Sequence, residues 1–181
     1  MSDVPDAFEV RAIGHVRRPG AADDPRHLDP DQPCELAILP RYAGGLAGIE
    51  GYSHLVVLCL FDRAARPDRL DGPVHPEGRD DVPAVGLFAT RSPFRPNPIA
   101  VSFPRLLRRD GDVLTVTGMD AWDGTPILDL KGYIPRGDAH PDATIPPWLE
   151  ALQRRHDEER GGRREAGDGR SDEGQDSGPT A

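Results

Sequence analysis

Two stretches hold most of the side chains able to do chemistry. The first is Gly86–Ile99 (GLFATRSPFRPNPI), in which Arg91 and Arg95 flank a turn built on Pro93, Pro96 and Pro98. Proline fixes φ and restricts the residue before it, so the turn is expected to be stiff. A guanidinium on a stiff frame suits a bidentate grip on a carboxylate or phosphate. From Val82 to Arg109 the chain has five arginines and no acid, against a net charge of −9 overall. A plain surface turn with solvated arginines has the same composition, and both readings stay open at this level. The second stretch is Asp120–Pro135 (DAWDGTPILDLKGYIP). It gathers three aspartates, Tyr133 and the chain's one lysine, Lys131, within 14 residues. Asp123-Gly124-Thr125-Pro126 reads as a turn. In the strand that follows, Asp129 and Lys131 project to one face, Leu128 and Leu130 to the other. An Asx-type turn and a same-face ion pair account for much of this segment. Asp123, Asp129, Lys131 and Tyr133 are the groups able to move a proton or steady an anion, and are the catalytic candidates.

The elements that must hold these stretches are short and bounded by Pro, Gly and Asp. Strands are expected at Phe8–Val16, Glu35–Leu39, Ala84–Thr90, Ile99–Leu107, Val113–Met119 and Ile127–Leu130. His54–Phe61 (HLVVLCLF) is a nearly continuous apolar run, expected as a central strand buried on both faces. Asp110-Gly111-Asp112 between apolar runs predicts that Ile99–Leu107 and Val113–Met119 pair as a hairpin. A helical turn is expected in Tyr42–Gly48, and a helix over Pro146–Leu152 with prolines in its first turn. Strands following strands with little helix between predict an all-β barrel or a β-rich α+β fold.

Composition sets the outer limits. The chain has 181 residues, with 20 glycines, 20 prolines and 36 % hydrophobic residues, which disfavours a helical bundle. The last 25 residues, Asp157–Ala181, hold eight acids, four bases and almost nothing apolar but alanine. That segment is expected to be a disordered acidic tail behind a folded domain of residues 1–156. Two cysteines, Cys34 and Cys59, are too few for a disulfide framework or a four-cysteine metal site and fit a reducing cytoplasm. No apolar run suits a membrane span and the N-terminus does not read as a signal peptide, so no membrane partner is expected. The six histidines show no paired ligand spacing, so no metal is expected. Neither a dinucleotide fingerprint nor a phosphate-loop lysine motif is present, and no serine sits in a nucleophile elbow.

FATRSPFRPNPI, at Phe88–Ile99, followed about 25 residues later by DGTPILDLKGY, resembles the TrmO family of tRNA methyltransferases. Gly51-Tyr52-Ser53-His54-Leu55 and Val74-His75-Pro76 extend the resemblance, which spans about residues 8–150. It implies a β-barrel domain of the short form, a homodimer, and S-adenosylmethionine as cofactor. The acceptor it implies is N6 of threonylcarbamoyladenosine beside the tRNA anticodon. The cofactor positions it implies are Pro25, Arg26, His27, Asp62, Arg63, Arg91, Ile99, Ala100 and Asp120-Ala121-Trp122-Asp123-Gly124. Phe94, Arg95 and Asn97 would meet the anticodon loop, Phe94 as a stacking platform and the polar pair by hydrogen bonds. Four positions depart from the family's usual residue: Arg18 stands for Ser, Asp62 for His, Ala100 for Gly and Gly132 for Pro. A methyltransferase of the same fold acting on a small molecule is the alternative enzyme. A non-catalytic S-adenosylmethionine-binding module is the third reading.

Overall fold

The structure is a computed structural model that describes residues 7–18, 29–64 and 72–168. These residues divide into two compact units. One comprises the chain up to Val74 together with Val85–Ala139; the other comprises His75–Ala84 and the chain from His140 onward.

The first unit is a seven-stranded antiparallel sheet. Its strands are β1 (Gly14–Arg17), β2 (Cys34–Ile38), β3 (Leu55–Leu60), β4 (Ile99–Ser102), β5 (Arg105–Asp110), β6 (Val113–Thr117) and β7 (Pro126–Gly132), followed by one helical turn, α1 (Pro135–Asp138). Across the sheet they run β4-β3-β7-β1-β2-β6-β5. Period-two alternation sends Val16, Leu36, Leu55, Val57, Cys59, Leu114, Val116 and Ile127 to one fully buried core. Each such aliphatic side chain contributes about 1.5–3 kcal/mol on burial. Both cysteines are free thiols in this core. Burial raises the Cys34 thiol and pushes that of Cys59 up to about 12, with neighbouring Cys34 adding to the latter. Neither is poised for nucleophilic chemistry at neutral pH.

Several expectations are corrected by the sheet. The hairpin forms, but from Arg105–Asp110 and Val113–Thr117; Ile99–Ser102 pairs with β3 instead. Pro104 has no N–H to continue the ladder, and there the chain passes from one sheet edge to the other. The start of β5 is tied at that point to the start of β3, next to the other edge, by a His54–Arg105 bridge and by hydrogen bonds from Leu55 N to the Pro104 oxygen (3.0 Å) and from Leu106 N to the Ser53 oxygen (2.9 Å). No continuous ladder closes the sheet. β3 is buried on one face; Val56, Leu58 and Leu60 on the other are only half-covered. Residues 84–90 form no strand. Val85 makes one bridge to Val74, and Leu87–Ala89 is a 3₁₀ turn whose Leu87 oxygen accepts from Thr90 Oγ1 at 2.8 Å. The first strand keeps only its end, with Phe8 and Val10 exposed.

The second unit is built around α2 (Pro147–Asp168). The helix continues past residue 156, where composition placed the end of the folded part. Glu158, Glu159 and Arg160, just past that point, are good helix formers. Val82 and Leu152 are buried in this unit. The Asp81 carboxylate takes Arg79 Nε at 2.9 Å and Arg155 Nη1 at 2.6 Å, and His156 lies 3.2 Å from Glu77.

Candidate functional site

The aspartate-rich stretch begins where β6 ends. Gly118 and Gly124 have φ of +87° and +80°, a conformation that glycine adopts without strain, and they reverse the chain on either side of residues 119–123. Between them Met119 and Ala121 turn into the core, while Asp120, Trp122 and Asp123 face outward. Gly124 N donates to the Val16 oxygen at 2.8 Å and Thr125 N to the Trp122 oxygen at 3.2 Å, which joins the turn to β1. Arg18, at the exit of β1, lies beneath it. Its Nε donates to the Ala121 oxygen at 2.7 Å, its Nη2 to the Met119 oxygen, and its main-chain N to Asp123 Oδ1 at 2.7 Å.

The arginine loop is stiff, as expected, and by more than proline. Ser92 N donates to Thr90 Oγ1 at 3.3 Å and Phe94 N to Ser92 Oγ at 3.2 Å. Arg95 turns back on its own loop, donating from Nε to the Ser92 oxygen at 2.9 Å and from Nη2 to the Thr90 oxygen at 2.6 Å. Two of the nitrogens expected to meet a substrate therefore staple the loop. Arg91, Phe94 and Asn97 are exposed on it.

Both stretches reach the C-terminal end of β3. Ile99 and Ala100 pair with Leu60 and Cys59, and Phe61 N donates to the Pro98 oxygen at 2.9 Å. One step on, Arg63 Nη2 donates to the Asp123 oxygen at 3.1 Å and the guanidinium lies 6.0 Å from the Trp122 ring centre. The structure thus gathers Asp62, Arg63, Ile99, Ala100 and Asp120–Gly124 around one strand end. Pro25, Arg26 and His27 lie outside the described residues.

The four catalytic candidates are strung from the turn along β7. Asp123 is in the turn. Asp129 and Lys131 form an ion pair on the outer face of β7, opposite Leu58 and Val56. Tyr133 lies beyond the strand's far end, its ring edge-on to His54 at 6.3 Å and Phe103 at 5.9 Å. At about 3.3 Å per residue, β7 holds Tyr133 roughly 20 Å from the turn. Two features escaped the sequence reading. Arg18 offers no local sign of its burial, because its partners lie about 100 residues on. The ring of Tyr52 occupies the space a Cβ at Gly132 would fill, 2.3 Å from its nearest atom, so that glycine leaves room for a close approach. Among the described residues no three His, Cys, Asp or Glu side chains group as metal ligands. No described helix is long and apolar enough to cross a membrane.

Residues 17–139, which include this strand end and both loops, match the family model of the tRNA-methyltransferase O N-terminal domain. The chain belongs to the TrmO family. A probable S-adenosyl-L-methionine-binding protein of Archaeoglobus fulgidus is 47 % identical over 116 residues, covering 64 % of this chain and 30 % of its own. The tRNA (adenine(37)-N6)-methyltransferase of Escherichia coli is 33 % identical over 159 residues, covering 76 % of this chain and 63 % of its own. A crystal structure of TrmO from Pseudomonas aeruginosa superposes with a TM-score of 0.61 at 31 % identity, over 78 % of this chain and 62 % of that one. This TrmO-family chain therefore spans less than two thirds of the length of each of these three relatives.

Proposed function

We propose that this chain is an S-adenosylmethionine-dependent methyltransferase acting on tRNA, with N6 of threonylcarbamoyladenosine beside the anticodon as the acceptor. The observation that carries the reading is the meeting of the arginine loop and the Asp120–Gly124 turn at the end of β3, inside the region that matches the family. The residues there fit the cofactor's chemistry. Exposed Asp62, Asp120 and Asp123 suit hydroxyls, an ammonium and a sulfonium charge. Trp122 offers a ring face, and Arg91 suits a carboxylate. The bound cofactor supplies an electrophilic methyl group.

The chain's own part is to orient, and to handle one proton. In-line displacement draws much of its acceleration from positioning, for which two stiffened loops are suited. The amide-like acceptor nitrogen is a poor nucleophile and needs a base or an anion-stabilising group. Asp123 stands at the gathered strand end. Asp129, Lys131 and Tyr133 lie progressively farther along β7, Tyr133 roughly 20 Å from the turn. A homodimer, which we include in the proposal, would let the Asp129–Lys131 face of one copy serve the turn of another. Exposed Ile99, Val101 and Phe103 along β4, beside half-buried Leu58 and Leu60, supply an apolar face for it. Closure of the sheet into a barrel through the Pro104 bend belongs to the same reading, as does contact of Phe94, Arg95 and Asn97 with the anticodon loop.

The test is incubation with S-adenosylmethionine labelled in its methyl group and tRNA, followed by mass spectrometry of the nucleosides. Label on N6 of threonylcarbamoyladenosine is expected, with tRNA binding that falls steeply as salt rises. Label only on small molecules of a cell extract would replace the acceptor. Cofactor binding with no transfer to either would remove the enzyme.

A further inference from the structure

We infer that Arg18 is the positioning residue of the Gly118–Gly124 turn and, through it, of the cofactor site proposed above, on which reading the inference rests. Arg18 is 7 % exposed, unusually low for an arginine. Its guanidinium meets the main-chain oxygens of Met119, Ala121 and, at 3.5 Å, Asp29. Nε and Nη2 lie along one edge of the planar group. The Met119 and Ala121 carbonyls are two residues apart and accept from that edge together. This is the bidentate geometry in which arginine differs from lysine.

The consequence for the outward side chains is direct. With the carbonyls of 119 and 121 held, those two side chains go to the core, and Asp120 and Trp122 go to solvent. The main-chain N of Arg18 holds Asp123 Oδ1 at 2.7 Å, so one residue sets the carbonyl row and the third outward group as well. Glycines with positive φ at both ends let the segment reverse, and main-chain bonds from Gly118 N to the Pro30 oxygen (2.8 Å) and from Gly124 N to the Val16 oxygen (2.8 Å) fix those ends, which leaves the carbonyls between them to Arg18. Burying a guanidinium costs free energy that an apolar side chain would not incur, so its gain lies in where it holds the chain.

The experiment uses the full chain with Trp148→Phe, which leaves Trp122 as its one tryptophan. Arg18→Lys keeps the charge and loses the fork; Arg18→Gln is the second variant. Acrylamide quenching of Trp122 emission reports the turn without any cofactor, and calorimetry reports S-adenosylmethionine affinity. Quenching in both variants is expected to rise about twofold and cofactor affinity to fall about tenfold or more, the cost of a small misplacement. Asp120→Ala separates the two ideas. If it binds cofactor as the parent does, the turn is not the cofactor site and the functional reading fails. If it loses binding while the folded Arg18 variants keep parental quenching and affinity, the Arg18 inference fails alone. Should neither Arg18 variant fold, hydrogen exchange at the Arg18 Nε of the parent decides. Protection of that proton matching that of the β1–β2 amides supports the inference, and solvent-like exchange overturns it.

Discussion

The two loops that meet at the end of β3 are held in opposite ways. The Gly118–Gly124 turn is pinned from beneath: a buried arginine just past β1 grips its carbonyls, and its Asp120, Trp122 and Asp123 side chains face out. The Thr90–Ile99 loop is stapled from within, by its own hydroxyls, its own Arg95 and three prolines. A turn pinned by the core shares the stability of the core. A self-stapled loop keeps its shape locally and can loosen while the sheet stays folded. Preorganisation near the proposed methyl donor is therefore divided between a global fastening and a local one.

The largest effect should come from removing the global fastening. Arg18→Ala leaves buried carbonyls without a donor and should cost about 2–4 kcal/mol, read as a lowered denaturant midpoint for the sheet unit. A midpoint equal to the parent's would erase the contrast. Arg95→Met removes two partly buried bonds and should cost roughly 1 kcal/mol or less. Its signature is faster amide exchange confined to Ser92–Ile99, with Trp122 quenching unchanged.

The weakest fastening is electrostatic and lies in the other unit. The hydrogen bond from Arg79, then that from Arg155, holds the exposed Asp81 carboxyl well below its ordinary 3.8. Its contribution is complete above that ordinary value and is lost as pH falls through the depressed one. The carboxylate resonance of Asp81 should titrate well below those of the other aspartates. The salt-screened loss of α2 helicity at low pH should shrink in Asp81→Asn. A normal Asp81 titration would remove this third kind of fastening.

Much of the sheet was legible because its signals are local. Alternation in Val113–Thr117 and the Asp-Gly turn before it specify a strand and its hairpin partner without reference to distant chain. The stiffness of the arginine loop was legible in the same way, from proline. What was not legible depends on distant partners. Ala84–Thr90 reads as a strand by apolar content, yet its Leu87 carbonyl is taken by the segment's own Thr90 hydroxyl. His54–Phe61 reads as doubly buried, since sequence does not show that β3 lies one place from an edge. The gathering at Arg63 and Asp123 joins residues 60 positions apart, which no local pattern announces.

The bend at Phe103-Pro104 has a mechanical consequence. The chain crosses there between the two edge strands, β4 and β5, so the sheet has a seam stitched by the amides of Leu55 and Leu106. Force or heat should find those stitches before it finds the ladders between β1, β2 and β6.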